Sequence, residues 1–202
     1  MRWIIGSILA VALAGAAYAI SPYYALYQLS RAVETRDAEA LKERVNFRAV
    51  RASVARDLVT AYLAATGRAE EAKGLRGQVV VGAGASLADQ LLARYATPED
   101  LLALLKTSEA SADPANSLTS PLSAVGTSPS EVLSNAWQLY ATAEGNGFRA
   151  VSFGLPPRNS RENQYRLQFR INSSLTWRLV GLQLPRAVQQ RLVQDFIRSN
   201  AS

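Results

Sequence analysis

The sequence predicts an α+β fold in which helices precede a four-stranded antiparallel sheet with a closing helix. Two changes along the chain lead to this prediction. Apolar residues recur at helical spacing in the first half and alternate as in strands in the last third. Between them, residues 107–130 are rich in Ser, Ala, Pro, Thr and Gly, which is typical of a linker or loop. We therefore expect a membrane segment at 1–20, a helical region at 21–106, and the sheet with its helix at 131–202, as one domain with 21–106 or separate from it.

The composition excludes several kinds of active site. The 202 residues include no cysteine and no histidine, and the net charge is +6. Disulfides, thiolate nucleophiles and imidazole-based triads or metal sites are therefore absent. We expect that the protein is not an enzyme and holds neither a cofactor nor a metal ion. The positive charge is compatible with an anionic partner, although a modestly basic solvated surface is the more common explanation.

Residues 3–20 (WIIGSILAVALAGAAYAI) contain no charge and follow Arg2. As a helix they would be ~27 Å long, which suffices to cross the apolar part of a bilayer. A signal anchor and a cleavable signal peptide both fit, since Ala17-Tyr18-Ala19 resembles a cleavage site. We favour the anchor, with Arg2 in the cytoplasm and the remainder exported.

Ser21 and Pro22 are expected to end this helix and to begin another, because Ser suits an N-cap and Pro the first helical position. The buried stripe of the new helix would contain Leu26, Leu29 and Val33. No spacer is then needed between the membrane segment and the domain.

Further helices are expected after Asp37, from Phe47 to Gly67, from about Ser86 and after Thr97. The charged, glycine-containing segment 68–78 is interpreted as a loop.

Four strands are expected in the last third. Residues 136–142 and 148–155 flank Glu144-Gly145-Asn146-Gly147, which predicts a hairpin. Residues 164–171 (QYRLQFRI) alternate strictly, and residues 175–184 supply the fourth strand. Pro185 opens the final helix, with Val188, Leu192 and Phe196 inward and Val193 as a further candidate.

Three arginines form the best candidate surface for an anionic partner. Arg166 and Arg170 share one strand face, and Arg178 joins them if the last two strands pair as a hairpin. An anionic lipid, a glycan or an envelope protein would fit, whereas a solvated sheet face is the ordinary explanation. The face lacks interleaved aromatic residues, so we expect no nucleic acid partner.

Aromatic residues cluster near the ends of the apolar segment. Either they form a membrane-interface belt or they pack the first helix onto the sheet. They are Trp3, Tyr18, Tyr23, Tyr24 and Tyr27.

Three segments resemble a bacterial family known as domain of unknown function 2939. They are SPYYALYQLSRAVETRDAEALKERVNFRAVRASV (21–54), YATPEDLLALL (95–105) and TWRLVGLQLP (176–185). Asn46 stands where the family more often has an acid. The resemblance implies an exported or membrane-attached bacterial protein, with the domain in the periplasm at the inner membrane, or soluble in the periplasm if the signal is cleaved. It implies no activity.

The sequence therefore favours a non-catalytic binding or scaffold module tethered through residues 3–20. The alternative is a carrier of lipid or another hydrophobic ligand, with an apolar cavity between the helices and the sheet. A carboxylate-dependent hydrolase would need an acid pair across a cleft.

Overall fold

The structure is a computed structural model that describes residues 2–92, 138–145 and 147–199. The predicted helix after Thr97 and the predicted linker at 107–130 lie outside these residues. The first four helices are α1 (Arg2–Glu34), α2 (Ala38–Arg44), α3 (Phe47–Ala65) and α4 (Gly74–Leu92). The strands are β1 (Glu144–Gly145), β2 (Ala150–Leu155), β3 (Tyr165–Ile171) and β4 (Trp177–Gln183), followed by a C-terminal helix (Arg186–Ser199).

The strands form one antiparallel sheet in the order β1-β2-β3-β4. This topology confirms the predicted α+β class. The alternation in β3 is also as predicted, because its four apolar residues are buried and its polar residues lie on the opposite face. The buried four are Tyr165, Leu167, Phe169 and Ile171.

The main core lies between this apolar face and the second half of α1. Leu26, Leu29 and Val33 are buried, as predicted from their spacing. The ring of Phe153 packs edge-on against Tyr23, at 5.2 Å between centroids, and against Phe169, at 5.9 Å. Leu41 of α2 also belongs to this core. Asp37 is the N-cap of α2 as predicted, since its side chain accepts the Ala40 N–H at 2.9 Å.

Strand β4 lies at the edge of the sheet, and the start of α3 covers it. The backbone N–H of Asn46 donates to the Leu179 carbonyl at 2.8 Å. Three residues further along β4, the Ser53 hydroxyl accepts the Leu182 N–H at 2.9 Å. These bonds satisfy edge groups that would otherwise be open to pairing with another chain.

The predicted helix break at Ser21-Pro22 is wrong, because α1 continues through it. Pro22 has no N–H to donate to the carbonyl of Tyr18, four residues earlier. The Ser21 hydroxyl donates to this carbonyl instead, at 2.7 Å. The oxygen of the Ser21 hydroxyl also accepts the indole N–H of Trp177 in β4, at 2.8 Å. The Ser21 hydroxyl thus compensates for the proline and is itself bonded to the sheet, and the helix enters the core without interruption.

Two further boundaries differ from the prediction. Helix α4 starts at Gly74 instead of about Ser86, so part of the predicted loop is helical. The longer helix packs on α3, where Gly84 lies so close to Val59 that a side chain would crowd it. Residues 138–142 are helical, not part of a first strand, and this turn places Leu139 fully in the core.

The C-terminal helix buries the further candidate Val193 and half-buries the predicted Val188 against the core, whereas the other two predicted residues are exposed. Val193 is 4% exposed, whereas Leu192 is 44% exposed. Phe196 is also exposed, and its ring meets Tyr62 edge-on at 6.1 Å. The helix lies along α3, and this contact selects Val193, the residue next to the predicted Leu192.

Replacing Ser21 by Ala should destabilise the fold by ~1 kcal/mol, because the Tyr18 carbonyl and the Trp177 N–H both lose their partner. Urea unfolding of the full chain in detergent, followed by tryptophan fluorescence, measures this loss. Ser86→Ala is the control, since the Ser86 hydroxyl bonds only the Gly82 carbonyl of its own exposed helix in the described contacts. Equal losses in both variants would contradict the proposed link.

Candidate functional site

A polar cleft of ≈ 380 Å³ lies on the second face of the sheet, opposite the main core. Helix α3 forms one wall, and strands β1 to β4 with the turn before β3 form the others. Its ionisable lining residues come from distant parts of the sequence. They are Arg56, Asp57, Glu144, Arg161 and Arg166.

Glu144 holds two of these arginines together. Its Oε1 lies 2.8 Å from Nη1 of Arg161, and its Oε2 forms an ion pair with Nη2 of Arg166. The Arg166 side chain is largely buried, which makes this pair less screened than a surface pair. Both carboxylate oxygens of Glu144 are therefore engaged.

Asp57 lies on the opposite wall of the cleft. Burial raises the pKa of its carboxyl from 3.8 to about 6, and the neighbouring charge of Arg56 opposes part of this rise. A group with this pKa can hold or release a proton near neutral pH. Asp57 is the one acidic residue of α3, although nothing in its spacing predicts a cleft.

The three predicted arginines do not form one cluster. Arg166 belongs to the cleft, whereas Arg170 and Arg178 face each other across β3 and β4. The two groups are ~13 Å apart along β3. Within the described part of the chain, Nε of Arg178 is buried without a hydrogen-bond acceptor. A ligand oxygen at this nitrogen would recover part of its desolvation free energy.

The predicted aromatic residues also separate. Trp3, Tyr18 and Tyr24 are exposed, while Tyr23 packs on Phe153 of the sheet. The ring of Tyr27 lies beside Tyr24, at 6.3 Å.

Sequence patterns did not identify most of the cleft. Arg56, Asp57, Glu144 and Arg161 lie in three separate segments, and only the packing of α3 beside β4 brings them together. Among the described residues, no three carboxylates form a group that could hold a metal ion.

Helix α1 is the described helix that is long and apolar enough to cross a membrane. Its residues from Trp3 to Ile20 are exposed throughout. This observation fits a membrane anchor or a signal peptide.

Asp57→Asn should stabilise the protein at pH 8 and not at pH 3.5. Between pH 3.8 and about 6 the folded chain binds more protons at Asp57 than the unfolded chain, so the stability of the natural protein falls as the pH rises through this window. Partial solvation reduces the gain from the variant to ~1 kcal/mol above pH 6. Urea unfolding across this pH range measures it.

Asp195→Asn is the matched control, because Asp195 is exposed on the C-terminal helix. An equal pH dependence of the two variants would show that burial of Asp57 does not cause the effect.

The comparisons with known proteins concern the first half of the chain. The model of the family described as "Protein of unknown function (DUF2939)" matches residues 11–104. The resembling segment at 176–185 lies outside this match. No curated protein and no solved structure matches the chain. The resemblance inferred from the motifs is thus confirmed over residues 11–104, which match the model of this family of unknown function.

Proposed function

We propose that the protein is a non-catalytic binding module, tethered by α1 to the bacterial inner membrane with its folded domain in the periplasm. The apolar part of α1 is exposed, and the same helix continues into the core through Pro22. A helix that is continuous across this boundary holds the domain directly at the membrane surface.

The contacts of Tyr18 favour a retained anchor over a cleaved signal. Its hydroxyl donates to the Phe148 carbonyl, and its ring lies 6.2 Å from that of Trp177. Cleavage after Ala19 would remove Tyr18 together with both contacts. The segment therefore contributes to the fold of the domain as well as to its attachment.

The cleft is the proposed binding site, and its arginines are the observation on which this proposal depends. Three guanidinium groups face two carboxylates, so the lining has a surplus of positive charge. Planar guanidinium groups suit a carboxylate or phosphate group of a partner. An anionic group on an envelope protein or glycan fits this lining.

The position of the cleft supports a partner in solution. Arg161 lies in the turn between β2 and β3, whereas α1 meets the sheet at Phe148 and Trp177, at the other end of the strands. The cleft thus lies at the end of the sheet away from the apolar segment, where a partner can approach.

The state of Glu144 favours binding over catalysis. An acid/base pair needs a second carboxylate that is free to act on a substrate or water. Both oxygens of Glu144 are in ion pairs, so Asp57 has no such companion in the described cleft.

The packing between α1 and the sheet favours a binding module over a carrier of hydrophobic ligands. A carrier needs an apolar cavity at this place. Leu26, Leu29 and Phe153 are fully buried there and belong to one continuous cluster.

Arg56→Gln should weaken the binding of a fluorescent oligoglutamate peptide about tenfold, the effect of losing one charge-assisted hydrogen bond. Fluorescence anisotropy with the full chain in nanodiscs measures the dissociation constant. The natural protein should also bind more weakly as salt is added.

Arg76→Gln is the control, since Arg76 is exposed on α4 and does not line the cleft. Equal affinities of the two variants would exclude the cleft as the site, and absence of binding to the natural protein would exclude this class of ligand.

A further inference from the structure

Two turns of the sheet each present a large apolar side chain to solvent. Phe148, in the turn between β1 and β2, is 90% exposed. Leu175, in the turn between β3 and β4, is 79% exposed. Adjacent exposed apolar side chains commonly mark a contact surface for a protein or membrane.

Both turns lie beside the point where α1 leaves its apolar segment. Tyr18 donates its hydroxyl to the backbone of Phe148. Trp177, two residues after Leu175, bonds Ser21 and packs on the Tyr18 ring. Tyr18 and Ser21 flank the end of the apolar segment, so these contacts fix the depth of both turns relative to it.

The two turns are also tied to each other. The Ile171 N–H, at the end of β3, donates to the Arg149 carbonyl at 2.9 Å. In the second turn, the Thr176 N–H donates to the Asn172 side chain at 2.9 Å. Phe148 and Leu175 are therefore presented on neighbouring, hydrogen-bonded turns.

The charges around the turns have one sign. Arg149 directly follows Phe148. Arg170 of β3 and Arg178 of β4 lie opposite each other, close to the second turn. Residues 147–151 and 170–178 contain no acidic residue. Near a bilayer, each such arginine gains ~1 kcal/mol from anionic lipid head groups.

We propose that Phe148 and Leu175 insert into the interface of the bilayer that α1 crosses, while Arg149, Arg170 and Arg178 contact its anionic head groups. This inference rests on the retained anchor of the proposed function. A bilayer covers the two apolar side chains because Tyr18, which bonds Phe148, belongs to the apolar segment itself. The domain then contacts the membrane through α1, Phe148 and Leu175, and its cleft faces away from the lipid.

The absence of natural cysteines allows a direct test of insertion. Phe148→Cys and Leu175→Cys each accept one environment-sensitive nitrobenzoxadiazole label. Leu75→Cys is the matched control, being 82% exposed at the start of α4. Helix α3 runs along β4 away from the turns, from Asn46 at Leu179 to Ser53 at Leu182, so α4 begins at the distal end.

The full-length variants are placed in vesicles of phosphatidylcholine and phosphatidylglycerol, and flotation first shows whether they stay attached. Nitroxide-labelled lipid should quench the labels at 148 and 175 severalfold more than the label at 75, and aqueous iodide should quench them severalfold less. Arg170→Gln with Arg178→Gln should reduce this protection in anionic vesicles and leave it unchanged in neutral ones.

Three outcomes would overturn the proposal. If the protein floats but all three labels are equally open to iodide, the anchor stands and the turns face water. If the labels at 148 and 175 are shielded from iodide and also from nitroxide lipid, a second copy or another protein covers them. If the protein does not float, the anchor and the inserted turns are both excluded.

Discussion

The hydroxyl of Ser21 joins the long N-terminal helix α1 to the sheet. It donates to the Tyr18 carbonyl that Pro22 leaves without a partner, and it accepts the indole N–H of Trp177. A proline inside a helix ordinarily introduces a kink or an end. Here the Ser21 hydroxyl compensates for the missing bond, and it is in turn bonded by Trp177 of the last strand, more than 150 positions away. Together with the hydrogen bond from Tyr18 to Phe148, this polar junction fixes the direction of α1 relative to the sheet.

Because of this junction, one end of the sheet lies beside the apolar segment of α1 and the other end lies away from it. At one end Trp177, Phe148 and Leu175 lie next to the apolar part of α1. At the other end the turn before β3 and the middle of α3 enclose the polar cleft. A helix that continued into a flexible linker would leave these ends without a fixed relation to the apolar segment of α1. The continuous helix gives each end its own environment.

The charged residues on the polar face of the sheet, opposite the main core, also form two groups, one at each end of the strands. The carboxylate of Glu144 neutralises part of the cleft and holds Arg161 and Arg166 in place. At the other end of β3, Arg170 and Arg178 face each other as like charges, an arrangement that costs free energy unless water or anions screen it. The face therefore combines an ordered polar pocket at one end with a basic arginine pair at the other.

The sequence by itself determined the features that depend on near neighbours. The spacing of Leu26, Leu29 and Val33, the Asp37 cap and the alternation in β3 follow from local backbone geometry, and each was predicted. Tertiary structure decided what depends on distant partners. Ser21 and Pro22 indicated a helix break, whereas in the fold the Ser21 hydroxyl bonds both the Tyr18 carbonyl and Trp177 and the helix continues. Likewise, α3 selected Val193 of the C-terminal helix for burial. The cleft likewise joins residues from separate segments, because no local pattern encodes contacts between elements that meet only when the chain folds.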